Sequence, residues 1–121
     1  MSFGQSISYC FSNYTNFNGR ARRSEFWWFF LFVLIVQVIV QTLVAAVVGT
    51  DSGLYTLLVF VLAIVLAIPL YAAGSRRLHD TGKSGWMQLL LLIPCIGQII
   101  LIVFWAQAGS DAENQYGAPV A

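Results

Sequence analysis

Four residues that could do chemistry crowd into one short stretch, Arg76–Trp86, "RRLHDTGKSGW", which holds the only histidine, the only lysine and two of the five arginines. His79 beside Asp80 is a pairing that general acid–base catalysis could use. An imidazole near carboxylates or thiols is also where a zinc ion could sit, but zinc needs three or four ligands. The two cysteines, Cys10 and Cys95, match neither a disulfide framework nor a zinc spacing. No nucleophile motif accompanies His79–Asp80. The reading is therefore no catalytic set, no metal site and no cofactor.

The stretch is flanked by long runs without charge. Of 121 residues, 59% are hydrophobic and only 9% are charged, against about 25% charged in a soluble domain. Mean hydropathy is +0.77. A water-facing shell cannot be built from this inventory, and a net charge of +1 gives no reason to expect a nucleic-acid partner. The expected fold is an all-α membrane protein, a single domain over residues 1–121 without internal repeats.

Three uncharged runs, residues 26–48, 54–73 and 86–108, are each long enough to cross a hydrocarbon core, which takes about 20 helical residues. They predict a three-span transmembrane helix bundle. The first run exceeds the apolar region of a secretory signal, contains Gln37 and Gln41, and is expected to be retained. Residues 74–85 form a connecting loop, Pro69 and Pro94 kink the second and third spans, and residues 109–121 form a polar tail. The leader, residues 1–19, spaces Phe3, Ile7, Cys10, Phe11 and Tyr14 on one helical face. It predicts an amphipathic helix lying in the interface or packing under the bundle.

Orientation follows from the cations. Arg20, Arg22 and Arg23 precede the first run, and Arg76, Arg77 and Lys83 separate the second from the third, whereas Asp51 marks the intervening loop and Asp111 and Glu113 the tail. Short Lys/Arg-rich segments stay cytoplasmic, which predicts a membrane protein with its N-terminus inside and, after three crossings, its C-terminus outside. Trp27, Trp28, Tyr71 and Trp86 would ring the inner interface, and Tyr55 and Trp105 the outer one.

On this plan several polar groups meet at the inner face. Glu25 is expected to pair with Arg76 or Arg77, and Asp80 with Arg20, Arg22 or Arg23. Arg76 also lies one helical turn before Asp80, within pairing range. Ser84 would cap the third helix after Thr81–Gly82 ends the second. Anionic lipid headgroups are the expected partners of this basic face, along with the bilayer itself. Gln37, Gln41 and Gln98, inside the apolar runs, are expected to pack against amides of the same chain, another copy or a membrane-complex partner.

Three blocks carry a resemblance: "FNGRARRSEFWWF" (Phe17–Phe29), "RRLHDTGKSGWMQLLLLIPCIG" (Arg76–Gly97) and "GSDAENQYG" (Gly109–Gly117). Together they resemble the domain-of-unknown-function family 805, small bacterial inner-membrane proteins, over nearly the whole chain. The positions that match the family's motif include Gly19, Arg20, Arg23, Glu25, Trp28, Arg76, Arg77, Leu78, His79, Asp80, Gly82, Ser84, Gly85 and Trp86. Gln115 departs from it, standing where the family carries a cation. The resemblance implies a multi-span membrane protein and no particular reaction, and it points to the cytoplasmic-face cluster as the part that matters.

The leading functional expectation is thus a non-enzymatic structural or interaction module of the membrane. A small oligomeric transporter or channel, lined by Gln37 and Gln98, is the alternative. An enzyme acting on lipid or phosphate-bearing substrates through His79–Asp80 comes third.

Overall fold

The computed structural model describes residues 2–109 and 113–117 and is all-helical. Helix α1 (Phe3–Ser12) is followed by two long helices, α2 (Arg23–Val48) and α3 (Gly53–Asp80). A 3₁₀ segment (Gly85–Leu92) and the short helix α4 (Ile96–Ala106) complete the order. Helices α2 and α3 are long and apolar enough to cross a membrane. Much of their apolar surface is bare: Val38 is 61% exposed and Phe60 65%. An apolar surface of this extent calls for lipid around it.

The best-covered part of the molecule lies at one end. Residues 72–80 of α3 are buried without interruption, so this stretch is enclosed on every side, as a helix in a core would be. Phe26, Phe29, Leu101 and Trp105 pack around it or beside it. Thus α3, the helix of the second apolar run, continues through Arg76 and Arg77 to the expected end at Thr81–Gly82, and of residues 74–85 only the last few are loop. It ends as a Schellman turn: Gly82, at φ +78, donates to the His79 carbonyl while Lys83 donates to that of Leu78.

Helix α1 is shorter than the expected leader. Ser2 and Gln5 close a capping box at its start, and it packs on α2: Phe3 meets Trp28 at 5.6 Å and Phe11 meets Phe29 at 5.4 Å. Tyr14 falls beyond its end. From there to Ala21 the chain runs as an irregular strap along α3. Pro69 has no N–H, which leaves the carbonyl four residues earlier, Val65, without its helical partner. The Tyr14 hydroxyl donates to that carbonyl. The proline gap and the strap's first anchor are therefore one feature.

The third apolar run is not one continuous helix. A straight 23-residue helix would put its ends about 35 Å apart. Instead both ends meet neighbouring residues of α3: Gly85 packs against Ser75, and the Trp105 indole donates to the Gly74 carbonyl at 3.2 Å. The reversal is built by "IPCIG". Pro94 cannot continue a helix, and Cys95, at φ +62 and ψ −60, is the centre of a γ-turn closed by Ile96 donating to the Pro94 carbonyl at 2.7 Å. Gly97 then lets α4 lie directly on the Leu90 carbonyl, where no side chain would fit. Gln98 donates its amide to the Leu91 carbonyl at 2.9 Å. Irregular backbone at membrane depth is tolerated when its polar groups find partners within the protein.

Three expectations fall with this turn. The bundle has two long apolar helices and a folded-back hairpin, not three spans. Trp105 is not an outer-interface residue, since it lies at the Gly74 end. The tail is not at the far end from the N-terminus, because Asn114 donates to the His79 carbonyl at 2.9 Å and Arg20 to that of Gly117 at 3.0 Å. Asp111 and the tail beyond Gly117 lie outside the described residues.

Candidate functional site

The strap explains most of the basic stretch. Its backbone is irregular, so its carbonyls need donors. Helix α3 supplies them in order: Arg76 Nε donates to Asn16 at 3.1 Å, Ser75 to Phe17 at 3.1 Å, and His79 Nδ1 to Gly19 at 2.8 Å. The strap's backbone answers with Ala21 N–H donating to the Arg76 carbonyl at 3.0 Å, and its Arg20 side chain donates to the Asp80 carbonyl at 3.2 Å.

Arg77 reaches the other way. Its Nε donates to the Trp105 carbonyl at 2.9 Å and Nη1 to that of Ala21 at 3.1 Å, while Nη2 donates to that of Gln107. One planar guanidinium thereby joins the strap, α3 and the end of α4, a task suited to its forked donors. Nearby, Arg23 donates to the Ala106 carbonyl at 3.4 Å, and Lys83 bonds Thr81 and Gln107.

The carboxylates complete the cluster. Asp80 accepts from Arg20 at 2.8 Å and from Arg77 at 2.6 Å, and Glu25 accepts from Arg76 at 2.8 Å. None of these side chains is more than 2% exposed. Both the Glu25–Arg76 pair and the Asp80–Arg20 pair are as expected. The Arg76–Asp80 pair is not formed, because Arg76 is drawn to Glu25 and Asp80 takes Arg77 instead. Pairing is what makes such buried charges tolerable. Beside them Cys10 points at the Glu25 carbonyl, and burial, reinforced by the Glu25 carboxylate, pushes its thiol up to about 12.

The tail closes over His79. Asn114 and Gly117 exchange backbone hydrogen bonds, forming a tight turn that lays the Tyr116 ring flat on the imidazole, 3.8 Å between centroids. Gln115 is exposed on this turn. Ser84 caps the 3₁₀ segment by accepting from Trp86 N–H at 3.2 Å, while the Trp86 ring is 79% exposed. Ser84 and Trp86 thus stand apart from the charge cluster, on the wall of a cavity of about 730 Å³ that His79 also lines.

The expected amides do not gather. Gln98 is tied within the hairpin, whereas Gln37 and Gln41 sit one turn apart on α2. Sequence reasoning missed Tyr14, Gln88 and Tyr116. Gln88 holds the 3₁₀ segment to α3 by donating to the Tyr71 carbonyl at 3.2 Å. Only Tyr14 left a trace, as an aromatic upstream of a helix containing a proline.

Residues of all three blocks, Arg20 and Glu25, Arg76 to Asp80, and Asn114 to Gly117, therefore meet at one end of the molecule. Residues 14–118 match the family model described as "Protein of unknown function (DUF805)". The chain is 42% identical over 105 residues to "Inner membrane protein YhaH" of Escherichia coli K12, covering 87% of each chain. It is 40% identical to "Inner membrane protein YhaI" of the same organism, covering 87% of this chain and 86% of that one. No solved structure matches it. With the family's blocks converging on one buried cluster and this degree of identity, the chain belongs to the DUF805 family and is an inner-membrane protein.

Proposed function

We propose that this protein is a non-enzymatic module of the inner membrane that associates through α2. The observation carrying this reading is the amide pair on that helix. Gln37 and Gln41 lie one turn apart within the apolar stretch; the Gln37 Oε1 atom is buried without a partner, and Gln41 is exposed with no hydrogen bond among the described residues. An amide facing hydrocarbon gains by meeting another amide, by about 0.6–2 kcal/mol per interhelical bond. A second copy, presenting the same helix face, supplies a partner for the exposed Gln41, with Gln37 one turn away beside it, through a two-fold interface.

The charged end supports the non-enzymatic side of the reading. Asp80 and Arg77 direct their polar atoms at one another and at main-chain carbonyls, and Glu25 pairs with Arg76, whose Nη2 alone is buried without a hydrogen bond; these contacts hold segments together. The positive-inside rule puts this end in the cytoplasm. With the third run folded back, two crossings bring both the Arg20 segment and the Asn114–Gly117 turn to the cytoplasmic side. Anionic headgroups remain the partners suited to the exposed Arg22 and Arg23 side chains.

Association is tested by energy transfer between labelled copies in proteoliposomes diluted over a range of lipid ratios. Gln37→Leu/Gln41→Leu should weaken it by about tenfold or more, the equivalent of one or two amide bonds. Equal association of the variant and the parent, or no transfer at any dilution, would remove the reading. Compartment-specific reporters fused at each end should both respond from the cytoplasm, and a periplasmic signal from the C-terminal fusion would refute the two-crossing arrangement.

A further inference from the structure

We propose that the cavity between α3, the strap and the 3₁₀ segment binds one neutral, hydroxyl-bearing amphiphile drawn from the bilayer, with its hydroxyl donating to His79 Nε2. The cavity's volume of about 730 Å³ falls within the range in which proteins hold single small molecules. Tyr71, Trp86, Leu89 and Leu92 line it. Trp86 and Leu92 are each 79% exposed and Leu89 57%. They belong to the folded-back hairpin, whose uncovered surface faces lipid, so the cavity opens sideways towards acyl chains.

The choice of headgroup follows from what the wall contains. No Lys, Arg, Asp or Glu lines the cavity among the described residues. The Arg76 and Arg77 guanidinium groups are buried and ion-paired with Glu25 and Asp80, and neither residue lines the cavity. A phosphate placed here would find no counter-charge, which costs heavily in an apolar site.

Two lining side chains carry unpartnered acceptors: the Gln88 Oε1 is buried beside Gly74, and His79 offers a ring nitrogen. His79 is 7% exposed and lines the cavity. The Gly19 carbonyl can only accept, so Nδ1 carries the hydrogen, and in the neutral ring Nε2 is then an acceptor. Tyr116 covers a face of the ring, and Nε2 has no partner among the described residues. A glycerol hydroxyl supplies the missing donor, with an acyl chain lying along Leu89 and Leu92. This assignment is independent of whether α2 associates.

Native mass spectrometry of the full chain in mild detergent, titrated with monoolein, tests it. The comparison ligand is oleoyl-lysophosphatidate, which has the same chain with a phosphate. A one-to-one monoolein adduct should form and outcompete the phosphate-bearing lipid. His79→Asn, which keeps a side-chain N–H for Gly19 and removes the Nε2 acceptor, should weaken monoolein by about tenfold, the worth of one hydrogen bond. Leu89→Trp, which fills the cavity, should abolish the adduct while helicity is retained. The proposal is overturned by absence of a saturable monoolein adduct, by tighter binding of the lysophosphatidate, or by equal monoolein binding in parent and His79→Asn. The two-lipid comparison needs no variant and so stands if either substitution fails to fold.

Discussion

Replacing Asp80 by asparagine probes the charge cluster at its centre. The carboxylate is 1% exposed and accepts from Arg20 at 2.8 Å and Arg77 at 2.6 Å. Asparagine keeps the shape and an acceptor oxygen but removes the charge, leaving two guanidinium groups facing a neutral amide. Hydrogen bonds to charged groups contribute about 1.5–3 kcal/mol each, so weakening two removes at most about 3–6 kcal/mol. Deleting one partner of a buried ion pair costs about 3–5 kcal/mol by a separate reckoning. The two ranges agree, and a loss of about 3–5 kcal/mol is expected. It can be read by titrating the purified protein in mild detergent with sodium dodecyl sulfate and following helicity. Asp51→Asn, an exposed acid on the opposite loop, should change stability by no more than about 0.5 kcal/mol. Adding Arg20→Met to Asp80→Asn should restore part of the loss, since it withdraws one uncompensated cation. If Asp80→Asn proves no worse than Asp51→Asn, the cluster does not hold this end of the fold together.

Other substitutions test the remaining joints. Glu25→Arg should destabilise strongly by facing Arg76 with a like charge, and adding Arg76→Glu should recover part of the stability in the same titration; no recovery would deny the pairing. Tyr14→Phe should cost about 1–3 kcal/mol by leaving the Val65 carbonyl unpaired, read by the same unfolding curve, with parent-like stability counting against the strap anchor. Gly97→Ala should cost about 1–3 kcal/mol or more, because a Cβ there falls 2.7 Å from the Leu90 carbonyl carbon and 3.1 Å from Ile93 Cβ, and an unchanged midpoint would reject the hairpin packing. In a Cys95→Ser background, Cys10 should react with maleimide at pH 8 about a thousandfold more slowly than in unfolded chain. Raising its pKa from 9.0 to about 12 cuts the thiolate fraction from about a tenth to about 10⁻⁴. Labelling at the unfolded rate would contradict its burial.

How far the fold could be read from residues alone differs from element to element. The two long helices were evident because each needs only a sufficient length of apolar side chains. Two of the ion pairs were evident too, since antiparallel neighbours joined by a short loop bring Glu25 and Arg76 to the same end. The third run deceived because hydropathy reports the preference of side chains for oil and says nothing of the path the backbone takes. The local grammar was present, in Pro94, Gly97 and Gln98, but its reading as a kink missed the reversal. The other targets of Ser75, Arg76, Arg77 and His79 left no trace for a different reason. They are mostly main-chain carbonyls, which every residue carries and no sequence pattern marks. A basic stretch that looks like a site for an external anion is in large part a set of donors for the protein's own backbone.

The reach of Arg77 also dictates a timetable. When α3 enters the bilayer, the carbonyls of Trp105 and Gln107 that Arg77 will grip have not yet been synthesised, since they come 28 and 30 residues later. Until the hairpin arrives, a buried cation waits with half its hydrogen bonds unmade. Insertion of the long helices and closure of the headgroup end must therefore be separate events, and a nascent chain halted between them would present that unfinished end to whatever machinery surveys the membrane.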